Sequence, residues 1–182
     1  MSAISTTGGQ VPVRVFGGPT ALIEYGGLRF LTDPTFDAPG TYDSGLTKTV
    51  PASAAPALHG PGAREDLEPI VGEVVVFVLT GDGLPTVYVS GGNAQLGLVQ
   101  EIADRFGPVY TAVLFAGAVR TALLDRQLLT LDSTQAAEAA RILGARRVVP
   151  VHFDSWAHFT EGRDQLVDAF TTAGLMDRVQ LT

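Results

Sequence analysis

The chain has 182 residues, a formal net charge of −7, 17% charged residues and no cysteine. That length suits a single domain spanning residues 1–182 with one well-buried core. The composition excludes disulfides, thiolate nucleophiles and cysteine-held zinc or iron–sulfur centres. Lys and Arg are scattered rather than striped, so nucleic acid and anionic membrane are disfavoured as partners, and no run approaches the roughly 18 apolar residues of a membrane span. The start "MSAISTTGGQ" lacks the basic and apolar regions of a secretion signal, so a cytoplasmic location is expected.

In chain order, "VPVRVFGGPTALIEYGGLRFLTDP" holds three apolar runs separated by glycine turns. This predicts an antiparallel meander with strands over Val11 to Phe16, Ala21 to Tyr25 and Leu28 to Thr32. From Pro34 to Gly72 the pattern disappears into a Pro- and Gly-rich stretch containing "PASAAPA", a long irregular loop of a length that compact domains seldom carry without a functional reason. "EVVVFVLT", "GDGLP" and "TVYVS" then predict a hairpin of Glu73 to Thr80 with Thr86 to Ser90. These five strands are expected to form mainly antiparallel sheet, with the helices and a second sheet coming from the region after Ala94.

Beyond "SGGN" the periodicity becomes that of alternating helix and strand. Leu96, Val99, Ile102, Ala103 and Phe106 stand at helical spacing, and "YTAVLFA" reads as a buried strand. A second helix has Asp132 as its cap, Gln135 at the capping-box position and Gly144 as its stop. "RRVVPVHF" predicts another strand, Gln165 to Ala173 a last helix, and "RVQLT" a strand-like tail.

Only His59, His152 and His158 can supply imidazole chemistry. His152 follows a predicted strand, where it is either a site residue or a histidine hydrogen-bonded at the sheet edge. Taken alone, His59 in "LHGPG" reads as a solvated loop residue, and His158 as a ring packed beside Trp156. Asp33 in "LTDP" suits a turn or an outer carboxylate that orients a ligand. No dinucleotide fingerprint, P-loop or nucleophile elbow is present.

Read together, "VRVFGGPTALIEYGGLRFLTDPTFD", "LHGPG", "VFVLTGDGLPTVYVSGGN" and "RILGARRVVPVHFDSWAHF" resemble the metallo-β-lactamase-fold hydrolases, in particular the lactonase-like branch related to ascorbate-6-phosphate lactonase. The resemblance implies an α/β fold, an αββα sandwich of the metallo-β-lactamase type, with zinc or manganese at one sheet edge activating water for hydrolysis. It places the family's loop histidine on His59, its final histidine on His152 and its bridging aspartate on Gly92. Asp33 and His158 are candidates for an outer shell, and Asp33, Asp154 or Glu161 could supply an oxygen if the geometry allows.

The family's H-x-H-x-D-H segment has no counterpart, because the interval where it would lie reads "TVPASAAPA". The sandwich is therefore expected to be truncated by loss of an internal strand–helix segment. Two imidazoles without an anionic bridge fall short of the roughly three ligands of a catalytic zinc. The expected protein is hydrolase-like with a degenerate metal site and little or no activity. Zinc or manganese would be held weakly through His59 and His152, or not at all. The alternatives are an active hydrolase of esters, lactones or phosphodiesters with a rebuilt site, and a non-catalytic binding or assembly module. Candidate partners are a small-molecule substrate and a second copy pairing through exposed sheet edges.

Overall fold

The computed structural model describes residues 11–17, 20–32, 40–41, 47–48, 76–120, 122 and 125–181. Strands β1 (Val13–Gly17), β2 (Thr20–Tyr25) and β3 (Leu28–Thr32) form one sheet in the order β1-β2-β3, antiparallel throughout. The turn between β2 and β3 is tight because Gly26 and Gly27 both take left-handed backbone, at φ 56° and 80°, which costs glycine little. Within the expected irregular stretch, β4 (Gly40–Thr41) pairs with β5 (Thr47–Lys48). The rest of that loop lies outside the described residues.

A second sheet has the order β6-β7-β8-β9. Here β6 (Phe77–Leu79) and β7 (Val87–Val89) make the expected antiparallel hairpin. Helix α1 (Leu96–Phe106) then crosses to β8 (Thr111–Phe115), which pairs parallel with β7, and α2 (Ser133–Ile142) crosses to β9 (Arg147–Val151), parallel again. The β6–β7 hairpin thus belongs to the second sheet, not with the meander that opens the chain. A crossover helix can return a parallel strand to its neighbour, and α1 places β8 directly beside β7.

The two sheets meet face to face. Val11, Val13, Ala21, Ile23 and Tyr25 from the first pack against Val87, Val89, Val113, Phe115, Val149 and Val151 from the second. Alternate residues of the second sheet, Tyr88, Ala112, Leu114 and Val148, turn outward onto Val99 of α1, the alanines and Leu143 of α2, and Leu166 and Phe170 of α3 (Arg163–Thr172). The period-2 alternation of strands accounts for this division into two cores. The guanidinium of Arg147 donates to the Val11 carbonyl and to the Gln180 side chain, tying the chain's opening, the start of β9 and the tail together. That tail contains a 3-10 turn, Met176–Arg178, before Val179 bridges to Val148.

Helix α2 begins as its sequence dictates. The Asp132 carboxylate accepts from the Gln135 N–H at 2.7 Å while the Gln135 side chain accepts from the Asp132 N–H at 3.3 Å, closing a reciprocal capping box. Gly144, at φ 58°, ends it.

Candidate functional site

Because β7, β8 and β9 are parallel and in register, their C-terminal ends emerge along one edge of the sheet. Such edges hold the sites of many α/β proteins, since a rigid sheet fixes whatever leaves it. Here the chain delivers Ser90, Gly91 and Gly92 from β7, Ala116, Gly117 and Ala118 from β8, and His152 from β9. Each strand leaves the edge through a residue with left-handed backbone: Gly91 at φ 48°, Ala118 at 48° and His152 at 57°. For the two residues with a Cβ this conformation costs roughly 1–2 kcal/mol, and it persists only where the surroundings impose it.

His152 is only 4% exposed. Its ring lies 5.0 Å from that of Phe115 and 4.7 Å from that of Phe159, the latter edge-on. The aromatic series continues from Phe159 to His158 at 5.0 Å and from His158 to Trp156 at 5.5 Å. His158 therefore packs beside the indole, as the sequence suggested. One imidazole held among apolar rings can accept or donate a proton or act as one metal ligand.

At the end of β7, Ser90 extends the sheet ladder beyond its last strand residue. Its hydroxyl accepts from the Phe115 N–H at 2.9 Å and donates to the Gly91 carbonyl at 3.1 Å. Asn93 closes the turn into α1 by pairing with the Gln95 backbone at 3.0 and 3.1 Å. The Asn93 side chain also meets the Tyr88 hydroxyl, whose pKa burial nevertheless pushes up to about 12. Tyr88 is thus a neutral core residue. Gly92, between these anchored neighbours, is buried and stands at the same edge as His152, with β8 between the strands that lead to them.

Two of the other carboxylates considered lie among the described residues, and each accepts a hydrogen bond there. Glu161 Oε2 accepts from the Ser133 N–H at 2.7 Å, placing an anion at the N-terminus of α2, where the helix dipole favours it. Asp154 is exposed and accepts from the Ser155 hydroxyl at 2.8 Å. His59 and Asp33 lie outside the described residues. Among the described residues no group of three or more His, Asp or Glu side chains is arranged to hold a metal. His152 alone is too few for a catalytic zinc, so the described residues do not by themselves make a metal centre. Sequence reasoning missed Gly117 and Thr160, which with Glu161 organise the turn after β9; the one local signal was a glycine just past the strand "YTAVLFA".

A family model described as the beta-lactamase superfamily domain matches residues 41–153, from the short β4–β5 pair to the turn carrying His152. The chain belongs to the metallo-β-lactamase superfamily. Among its superfamily relatives is a UPF0173 metal-dependent hydrolase of Methanosphaerula palustris, 27% identical over 122 residues that make up 66% of this chain and 51% of that protein. The chain thus matches about half the length of that curated relative. In structure it is similar to isothiocyanate hydrolase from Delia radicum gut bacteria, with a TM-score of 0.75, 15% identity and coverage of 93% and 95% of the two chains. A protein of Veillonella parvula described as a "possible metal-dependent hydrolase" superposes with a TM-score of 0.74, 12% identity and coverage of 94% and 95%. These likenesses establish the metallo-β-lactamase fold. No helix among the described residues is long and apolar enough to cross a membrane.

Proposed function

We propose that this chain is a metal-dependent-hydrolase-like protein whose metal site is degenerate, with little or no hydrolytic activity. The observation that carries the reading is the composition of the sheet edge. β9 supplies a buried imidazole there, whereas β7 supplies only Gly91 and Gly92 at the place where the family keeps its bridging carboxylate. With three histidines in the whole sequence and no H-x-H-x-D-H segment, zinc or manganese has His59 and His152 as imidazole ligands and no anionic bridge. In a complete site the metal would polarise a carbonyl or phosphoryl oxygen and supply hydroxide. What the described residues provide is a buried, aromatic-lined seat for one imidazole.

The test is metal content after purification, followed by a panel of esters, lactones, phosphodiesters and an isothiocyanate with and without chelator. Substoichiometric metal without turnover is the expected result. Vigorous chelator-sensitive hydrolysis would replace this reading with an active enzyme whose site has been rebuilt, and hydrolysis confined to lactones would place it in the lactonase-like branch. Replacing Gly92→Asp adds an anionic group at the edge and is expected to raise zinc affinity more than activity, because too few groups remain to orient a nucleophilic water. Calorimetric titration beside the same panel reads both effects.

One observation favours a second reading, a binding or assembly module. Among the described residues β3 pairs only with β2, and Phe16, Leu28 and Leu31 around that sheet are 44%, 62% and 43% exposed. Unpaired strand edges recruit other strands. Light scattering of the metal-free protein decides it: a stable dimer supports this module, and a monomer across the micromolar range excludes self-pairing.

A further inference from the structure

The turn that follows β9 touches the end of β8 with no room to spare. A Cβ placed on Gly117 would lie 2.2 Å from the His152 carbonyl oxygen, 3.1 Å from Phe153 Cα and 3.1 Å from Phe159 Cγ. Two of those three neighbours are backbone atoms, which no rotamer change can move aside. Any side chain at residue 117 must therefore push the two chain segments apart.

The far end of the same turn is fastened to the same place. The Gly117 carbonyl accepts from the Thr160 N–H at 3.1 Å and the Glu161 N–H at 3.4 Å, and the Ala118 carbonyl accepts from the Thr160 hydroxyl at 2.6 Å. Glu161 in turn reaches the first residue of α2. The turn from His152 to Glu161 is thus closed at both ends on Gly117 and Ala118, and His152 sits inside the closure with left-handed backbone.

We infer that Gly117 is the positioning residue for His152. Its missing side chain lets β8 approach the 152–153 peptide closely enough to hold His152 in the left-handed conformation and deliver the imidazole between Phe115 and Phe159. The significance of this for metal binding rests on the proposed reading of His152 as a retained ligand. Residues that orient a ligand without touching the metal commonly alter affinity by roughly 10- to 100-fold.

The experiment follows the imidazole itself, by nuclear magnetic resonance of the histidine-labelled full chain, beside zinc titration. In Gly117→Ala the His152 ring signals are expected to shift and the contacts between the His152 and Phe159 rings to be lost. Zinc affinity should fall roughly 10-fold or more, while the amides of β1 to β3 stay in place. Thr160→Val removes only the hydroxyl bond to Ala118 and should move the same ring signals less. Unchanged His152 ring signals and contacts in folded Gly117→Ala overturn the inference; should that variant fail to fold, unchanged signals in Thr160→Val overturn it. His152→Ala separates the two ideas: if it binds zinc as the parent does, the metal-ligand reading fails, whereas the ring contacts still decide the role of Gly117.

Discussion

Strand β8 is buried at all five residues from Thr111 to Phe115, whereas β2 alternates, with Ala21, Ile23 and Tyr25 turned inward and Leu22 and Glu24 less buried. The second sheet lies between the first sheet and the helices, and the reading of its strands as near-continuous apolar runs follows from having both faces covered. The first sheet has its inner face in the core and bears Arg14, Phe16 and Leu31 on the other. There the Arg14 guanidinium lies over the Phe16 ring and Arg29 pairs with Glu24 at 3.0 Å across the β2–β3 register. The difference separates two kinds of work. A sheet packed on both sides holds its strand ends in place and can support left-handed backbone at Ala118 and His152, while a sheet open on one side contributes chiefly a wall of the core.

The costliest change lies beneath the candidate site. Phe115 is fully buried and touches His152, so Phe115→Ala is expected to destabilise by about 3–5 kcal/mol and to loosen the imidazole. Urea denaturation of the variant measures the first effect, and the histidine ring signals report the second. A loss under 1 kcal/mol would mean that the second sheet is not the rigid element described.

Next in size is an effect of alkali on the helix-facing core. The folded pKa of Tyr88 lies at about 12 against an ordinary value of 10.0. Its contribution to stability is fully present below pH 10 and is lost as pH rises through 12, because the unfolded chain gives up its phenolic proton first. The difference corresponds to about 3 kcal/mol. Tyr88→Phe, which lacks the phenolic proton, should flatten that part of the stability profile from pH 10 to 12; an unaltered slope there would assign the alkaline loss to other groups.

The smallest expected effect is on the open face. Leu31→Ala should change stability by no more than about 0.5 kcal/mol, as surface substitutions usually do. Thermal unfolding of this variant beside Phe115→Ala gives the ratio directly. A cost for Leu31→Ala approaching that of Phe115→Ala would show that something covers the outer face of the first sheet in solution and would favour the assembly reading.

Much of the fold was legible because its signals are local. The glycine pair Gly26–Gly27, the capping box of Asp132 with Gln135 and the change from period 2 to helical spacing after Asn93 each act within a few residues, and the structure contains all three. His152 at the end of a strand was equally readable. The partner sheet of the β6–β7 hairpin was not, because a hairpin closes by the same turn whichever sheet receives it; the parallel register of β7 with β8 decides that. The expectation that Glu161 could supply a metal oxygen also could not be judged locally, since its hydrogen bond runs to Ser133, on another element of the fold. The role of Gly117 was hidden for the same reason, its decisive contact being with a peptide 35 residues further along the chain.

By itself, then, the sequence determined the opening meander, the later alternation of helix and strand, the absence of thiol chemistry and the scarcity of imidazoles, because composition and short-range periodicity act without reference to the rest of the molecule; the short β4–β5 pair and the 3-10 turn of the tail were not among its signals. Only the tertiary structure decided that Gly117 joins Gly92 and His152 at one sheet edge, that Glu161 is spent on a helix terminus, and that a glycine fits where a Cβ would meet a carbonyl oxygen. Those are facts about distances between segments remote in sequence, which arise when both faces of the parallel sheet are buried and its strand ends are brought into register.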